Sequence, residues 1–135
     1  MQSDFPPAVP EIPVSNIDRA ADYYVNNLGF CLDWGGEEGG IAGISKGHCR
    51  LFLTNTVFRE PYGTSGPVTI WLNLESKDQI DELYQQWTKT EARILSPPED
   101  KPWKLREFTA ADPDGNRVRV FYDFAWELQE PSVAG

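Results

Sequence analysis

The sequence contains one histidine, His48, among 135 residues. A single chain therefore cannot supply a metal site of two histidines and one carboxylate, and any metal would need mostly oxygen ligands. His48 follows Gly47 in a predicted turn, and no carboxylate lies next to it in the sequence to orient its ring. We therefore expect a solvated turn residue at this position and not a catalytic base.

Cysteine is almost as scarce, since the chain has only Cys31 and Cys49. They form no CxxC pair, so we expect buried, reduced thiols on strands. Long apolar runs are also missing, and the first four residues have neither the basic start nor the apolar segment of a secretory signal. We therefore expect a cytoplasmic protein without a membrane partner.

Basic residues are few: 12 Lys and Arg stand against 21 Asp and Glu, which gives a net charge of −9. Binding to nucleic acid needs a basic stripe, and the only basic cluster, residues 101–106, is interrupted by Pro102, Trp103 and Leu105. The charge favours a cationic small molecule as the ligand, or it only keeps the protein soluble. Nucleophile-elbow, P-loop and dinucleotide-binding motifs are absent, so nothing in the sequence supports those enzyme classes.

The sequence predicts the same order of secondary-structure elements twice. In each half, a strand precedes an amphipathic helix, and three short strands follow. Ser15 or Asn16 is predicted to cap the first helix and Gly29 to end it, while Ser76 and Gln79 form a capping box for the second. The predicted strands are residues 8–14, 30–34, 41–45, 50–54, 67–74, 93–95, 103–111 and 116–124.

This order divides a single domain of residues 1–135 into two βαβββ modules. Residues 8–55 form the first module, residues 67–124 form the second, and residues 56–66 are a linker rich in Gly, Pro and Thr. One module cannot cover both faces of its sheet. We therefore predict an α+β fold in which curved mixed sheets face inward, the helices lie outside and the two modules form a cleft.

Several short motifs occur in the same order in a known family. The most informative are Leu28-Gly29-Phe30, Pro102-Trp103 ahead of Arg106-Glu107-Phe108, and the turn Asp112-Pro113-Asp114-Gly115-Asn116. In these residues the sequence resembles the glyoxalase/bleomycin resistance protein/dioxygenase (vicinal oxygen chelate) superfamily. It looks most like the bleomycin-resistance proteins, because Pro-Trp before Arg-Glu-Phe is selective for that branch.

The resemblance also implies where a metal would bind. Enzymes of the superfamily bind a divalent metal through His, Gln or Glu, and the corresponding positions here are Val9, Phe52, Thr69 and Arg119. None is a plausible ligand, and Arg119 places a permanent cation at such a position. If the correspondence slips along the first strand, Glu11 is the nearest alternative. We therefore expect a metal-free site without a cofactor.

A site without metal chemistry would hold a flat ligand between rigid aromatic side chains. Trp71 and Trp103 match aromatic positions that the resemblance assigns to a drug-binding groove. Asp33-Trp34 resembles an Asp-aromatic pair in the same groove. The alternative for each Trp is packing in the core, which is the expectation for Trp87 on the apolar face of a helix. The ligand-binding candidates are Asp33, Trp34, Trp71, Asn73, Trp103 and Phe108.

The resulting hypothesis is a metal-free, non-enzymatic protein that sequesters a cationic glycopeptide antibiotic of the bleomycin type. Two alternatives stay open: a metal-dependent lyase or dioxygenase of the superfamily with an atypical site, and a binder of another small metabolite. The resemblance also implies a homodimer that exchanges an N-terminal arm, for which Pro6, Pro7 and Pro10 supply stiffness.

Overall fold

The computed structural model describes residues 4–63 and 66–128. The chain divides into two units after Val68. Each unit has one four-stranded mixed sheet and one long helix, in the order strand, helix and three strands. The predicted α+β fold of two βαβββ modules is therefore confirmed. None of the helices in the described residues has the length and apolarity to cross a membrane.

Four strands and a helix make up the body of the first unit: β1 (Glu11–Pro13), α1 (Ile17–Asn26), β2 (Cys31–Gly36), β3 (Ile41–Lys46) and β4 (Cys49–Thr54). The strand order in the sheet is β1-β4-β3-β2. β1 pairs with β4 in parallel, and the other neighbours are antiparallel. The helix therefore serves as the crossover that a parallel pair requires.

Helix α1 begins at a side-chain cap and lies on one face of this sheet. Asn16 is the N-cap, because its Oδ1 accepts a hydrogen bond from the Arg19 amide at 2.8 Å. The Glu37 carboxylate accepts a second bond from the Ile17 amide at 2.7 Å, which ties the glycine-rich β2–β3 turn to the start of the helix. The helix residues that face the sheet are buried: Ile17, Ala20, Ala21 and Tyr24.

The segment predicted to be a linker loop, residues 56–66, is partly helical. It contains α2 (Thr56–Arg59) and a 3-10 turn at Glu60–Tyr62, so the prediction of a loop was wrong there. The reason is the buried residue Asn55, whose Oδ1 accepts a hydrogen bond from the Phe58 amide at 3.0 Å and caps α2. Residues 64 and 65 of the predicted linker lie outside the described residues.

The second unit repeats the arrangement with β5 (Thr69–Asn73), α3 (Lys77–Lys89), β6 (Arg93–Asp100), β7 (Leu105–Ala111) and β8 (Arg117–Asp123). Its strand order is β5-β8-β7-β6, with β5 and β8 parallel. Ser76 caps α3 as predicted, since its hydroxyl accepts a hydrogen bond from the Gln79 amide at 3.0 Å. The Gln79 side chain accepts from the Glu75 amide at 2.8 Å, one residue earlier than a standard capping box.

Strand β6 is longer than the predicted residues 93–95. It continues to Asp100 through Pro97 and Pro98. Prolines are tolerated because β6 is at the edge of the sheet, and its pairing with β7 is irregular between Ser96 and Glu99.

The turn between β7 and β8 has the predicted form. Gly115 has φ of +87°, in the left-handed region. The buried Asp112 carboxylate accepts hydrogen bonds from the amides of Asp114 and Asn116, each at 2.9 Å, and from the Asn116 side chain at 2.8 Å. One carboxylate therefore holds the whole turn.

Both cysteines are free thiols. Cys49 is half-buried, and burial raises the pKa of its thiol. Cys31 is exposed, so the expectation that it is buried was wrong. The strand that carries it, β2, is at the edge of the first sheet, and nearly all its side chains are exposed.

Candidate ligand-binding faces of the two sheets

Each sheet has a face that its helix does not cover, which we call the open face. In β4, Leu51 and Leu53 are buried on the helix side, so Phe52 lies on the open face. In β8, Val118 and Val120 are buried in the same way, and Phe121 lies on the open face. The alternation of strand residues thus presents aromatic side chains on the two open faces.

On the first open face, one row of paired residues crosses the sheet. Trp34 pairs with Gly43, Gly43 with Phe52, and Phe52 with Glu11. The indole lies across the glycine, because a Cβ at Gly43 would be only 2.5 Å from Trp34 Nε1. The indole also meets the Phe52 ring edge to face, with 5.4 Å between centroids. Trp34 is fixed on the open face and is still 43% exposed.

Asp33 lies at an irregularity in β2. The pairing with β3 shifts between Leu32 and Trp34, so Asp33 has no partner in the described ladder. The residue is exposed beside Trp34 in the chain. A carboxylate here is solvated and available to a cation.

On the second open face, Trp71 is held by two neighbours. Its indole meets the Phe121 ring edge to face at 5.5 Å, and the Arg119 guanidinium lies 4.9 Å from its ring centroid. Arg119 Nε donates to the Thr109 hydroxyl at 3.2 Å, which fixes the cation over the ring. Trp71 is 47% exposed, so much of the indole stays open to solvent.

Trp103 reaches the same face from the turn before β7. Its indole Nε1 donates to the Glu107 carboxylate at 2.6 Å, and the ring is 61% exposed. Glu107 is buried and pairs with Phe121, the residue that touches Trp71. The structure therefore brings Trp71, Phe121, Glu107 and Trp103 together on one open face.

One candidate, Phe108, has a different role from the predicted one, and a second, Asn73, is partly engaged by the backbone. Phe108 is fully buried, and its ring packs against Tyr84 and Trp87 of α3 at 5.5 Å. It belongs to the core on the helix side, so we correct its assignment as a ligand contact. Asn73 is exposed, but its amide nitrogen donates to the backbone oxygens of Leu74 and Phe121, which leaves its side-chain oxygen for a ligand.

Sequence reasoning missed Glu107, although a signal was present. Glu107 alternates with the core residue Phe108 in β7, and alternation alone places its carboxylate on the open face. Phe121 was also missed, and the same signal was present, because Phe121 alternates with the buried Val120 in β8. Trp87 is buried, and its predicted role in the core is confirmed.

The comparisons with known proteins agree with this architecture. The family profile described as Glyoxalase/Bleomycin resistance protein/Dioxygenase superfamily matches residues 8–120. The chain belongs to this superfamily. The match covers both sheets nearly completely and confirms the family that the sequence motifs indicated.

Relatives within the superfamily are distant. A bleomycin resistance protein from Geobacillus stearothermophilus is 27% identical over 84% of this chain and 94% of its own length. The crystal structure of a glyoxalase/bleomycin resistance protein/dioxygenase from Nocardioides has a TM-score of 0.75 at 23% identity and covers 99% of this chain and 93% of that one. A lactoylglutathione lyase from Agrobacterium tumefaciens has a TM-score of 0.70 at 19% identity and covers 90% of this chain and 97% of that one. These two structural matches show the shared fold.

The residues that the resemblance places at metal positions do not fit a divalent metal. Phe52 packs against Trp34, Thr69 is an exposed hydroxyl at the start of β5, and Arg119 is a cation held over Trp71. The alternative ligand Glu11 accepts a hydrogen bond from the Thr54 hydroxyl at 3.0 Å. Within residues 4–63 and 66–128, no three His, Cys, Asp or Glu side chains cluster in a way that could hold a metal ion.

Proposed function

We propose that the protein binds and sequesters a cationic, flat glycopeptide of the bleomycin type and leaves it chemically unchanged. The observation that carries this proposal is the group of aromatic side chains around a buried carboxylate on the second open face, where the exposed indoles of Trp71 and Trp103 flank Phe121 and Glu107. The similarity to a protein named bleomycin resistance protein supports the same ligand class.

The geometry of the second open face suits stacking. Glu107 fixes the orientation of the Trp103 ring through the indole N–H, so little freedom remains to be lost when a flat ligand stacks on it. Arg119 lies over the ring of Trp71, which leaves the rest of that indole for a ligand. Two rigid indoles on one face offer a flat aromatic ring system more contact than either alone.

Charge supports a cationic ligand on this face. Glu107 stands beside Trp103 in the same row as Glu99, but the Glu99 carboxylate is paired with the Lys101 ammonium at 2.9 Å, so Glu107 is the acid that a cationic ligand would meet. The chain as a whole carries −9. The Glu107 carboxylate favours a cation over an anion here, and the net charge adds a weak attraction that salt screens with distance.

Sequestration requires affinity and no catalytic group. The residues at the superfamily's metal positions offer no ligand set, so we propose a non-enzymatic role. A metal-dependent lyase or dioxygenase is tested by metal analysis of the purified protein, together with its activity before and after a chelator. A stoichiometric metal whose removal abolishes turnover would establish the enzyme and refute the proposal.

Ligand binding is tested by titrating metal-free bleomycin into the protein while following tryptophan fluorescence. We expect quenching that saturates, and we expect Trp103→Ala to weaken binding by about 1–3 kcal/mol, because a stacking anchor is lost. Trp126→Ala is the matched control: Trp126 is 62% exposed, in the 3-10 turn that follows β8, and should leave the affinity unchanged. Equal losses in both variants, or no quenching up to millimolar bleomycin, would contradict the proposal, and the second result would favour another small metabolite.

We also propose that the protein is a homodimer. The support is the family resemblance, which implies a dimer. Light scattering at micromolar concentration should give twice the 15.3 kDa chain mass. A monomeric mass would refute the dimer without bearing on the fold.

A further inference from the structure

A pocket in the first unit lies between the N-terminal segment and the tip of the β3–β4 hairpin. Its volume is about 390 Å³, and its wall includes Pro6, Pro7, Val9, His48 and Arg50. This volume is within the range of small-molecule sites. The residues of the pocket are separate from Trp71, Trp103 and the other side chains of the second open face.

The charge of the pocket wall is opposite to that of the chain. Acidic residues outnumber basic ones by 21 to 12 in the sequence, yet the described residues that line the pocket include an arginine, a histidine and no acid. The remaining lining residues are proline, alanine, valine and glycine. An apolar wall with a cationic end complements an apolar molecule with an anionic end.

Arg50 is placed to bind an anion. Its guanidinium lies 5.6 Å from the Phe52 ring centroid, and it forms no ion pair with any residue among 4–63 and 66–128. The planar guanidinium can donate two parallel hydrogen bonds to a carboxylate, and no described protein carboxylate competes for them. Contact with the aromatic ring restricts the side chain, which lowers the entropy cost of binding.

We infer that this pocket binds a small monocarboxylate with an apolar body. The carboxylate pairs with Arg50, the His48 ring donates a further hydrogen bond, and the apolar body lies against Pro6, Pro7 and Val9. Bulk charge opposes such a ligand only weakly, because repulsion from distant surface acids is screened beyond about 8 Å at physiological salt. This inference does not depend on the proposed antibiotic binding.

The second unit supplies an internal control. Arg119 also lies over an aromatic ring, but its Nε donates to Thr109 and it does not line this pocket. Replacing Arg50 removes the anion-binding group, whereas replacing Arg119 removes a similar cation elsewhere. The two variants therefore separate a pocket-specific effect from a change in total charge.

Titration of the full-length ¹⁵N-labelled protein with benzoate, followed by NMR, tests the inference. We expect saturable shifts of the Gly47 and His48 amides and of the Arg50 Nε–H signal, with a Kd on the order of millimolar for so small a probe. Arg50→Gln should weaken binding roughly tenfold or more, because a charge-assisted pair is lost, and Arg119→Gln should leave it unchanged. The dispersion of each variant's spectrum reports whether it is folded.

Neutral benzamide and cationic benzylamine complete the design. Both should bind at least about tenfold more weakly than benzoate, because neither offers a carboxylate to the guanidinium. The inference is overturned if benzoate causes no shift at these residues up to roughly 20 mM, well above a millimolar Kd. It is also overturned if benzamide or benzylamine binds as well as benzoate, or if Arg119→Gln weakens binding as much as Arg50→Gln does.

Discussion

The last strand of each unit carries an Arg-x-Phe sequence on its open face, with Arg50 and Phe52 in β4 and Arg119 and Phe121 in β8. In the first unit the guanidinium lies against the phenylalanine. In the second unit it lies against Trp71 and is tied to Thr109 by a hydrogen bond. One repeated pattern thus leaves a cation available to an anion in one unit and orients an indole in the other.

The turns that precede β4 and β8 also differ, in exposure and in hydrogen bonding. The first turn, at Gly47 and His48, is exposed and borders the pocket. The second turn is closed by the buried carboxylate of Asp112. The fold therefore tolerates an exposed turn at one hairpin and is stabilised by a buried polar network at the other.

Removing the buried network should have the largest effect. Asp112→Ala deletes the acceptor of three hydrogen bonds and leaves two backbone amides unsatisfied, so we expect a loss of about 2–4 kcal/mol in the free energy of unfolding. Urea denaturation measures it. His48→Ala, in the turn of the other hairpin, should change the stability by less than about 0.5 kcal/mol. Similar losses in the two variants would contradict the comparison of the hairpins.

A substitution under Trp34 should have an intermediate effect. A Cβ at Gly43 would be 2.5 Å from the indole nitrogen, so Gly43→Ala must displace the ring towards solvent. We expect a loss of about 1 kcal/mol and a red shift of tryptophan emission. Gly39→Ala is the matched control, because nothing lies within 4 Å of a Cβ there. An unchanged emission spectrum in Gly43→Ala would show that Trp34 does not lie on the sheet.

The ion pairs of the second unit should have the smallest effect. Arg106 pairs with Asp81 at 2.9 Å and with Asp100 at 2.6 Å. These groups are partly exposed, so Arg106→Gln should cost less than about 1 kcal/mol and less still at high salt. A loss that is large and independent of salt would contradict this assignment.

The Asp100 carboxyl sets the sign of one pH-dependent contribution to the free energy of unfolding. The hydrogen bond from Arg106, aided by Lys77, lowers the pKa of the Asp100 carboxyl. Because this pKa is lower in the folded state, the pair stabilises the protein above the unfolded pKa, about 3.9, and the contribution is lost as pH falls through the folded pKa. Arg106→Gln should therefore reduce the acid sensitivity of unfolding between about pH 4 and the folded pKa.

Much of the fold could be predicted because local signals agree with the tertiary structure. Ser76 caps the second long helix, and Gly115 adopts a positive φ in the turn between β7 and β8. The helical spacing of apolar residues identifies both long helices. The misses have local causes. Strand β6 was predicted too short, because its second half contains Pro97 and Pro98, which are uncommon in strands. Helix α2 was missed because it depends on the cap from the Asn55 side chain, in a segment whose composition is typical of a loop.

The candidate site was only partly predictable. The exposure of Trp34, Trp71 and Trp103 depends on which strand face each occupies, and the alternation within a strand gives that face only when the register is known. Phe108 was predicted to be a ligand-binding residue together with Trp103, which precedes the Arg106-Glu107-Phe108 motif. The turn at Lys101–Lys104 breaks the alternation between them, and Phe108 points into the core.

Calorimetric titration of metal-free bleomycin into chelator-treated protein tests the central claim most directly. The account predicts saturable binding that is unchanged by the chelator, with all the bleomycin recovered intact by mass spectrometry. Absence of any binding heat at millimolar bleomycin, or recovery of a chemically altered product, would contradict it.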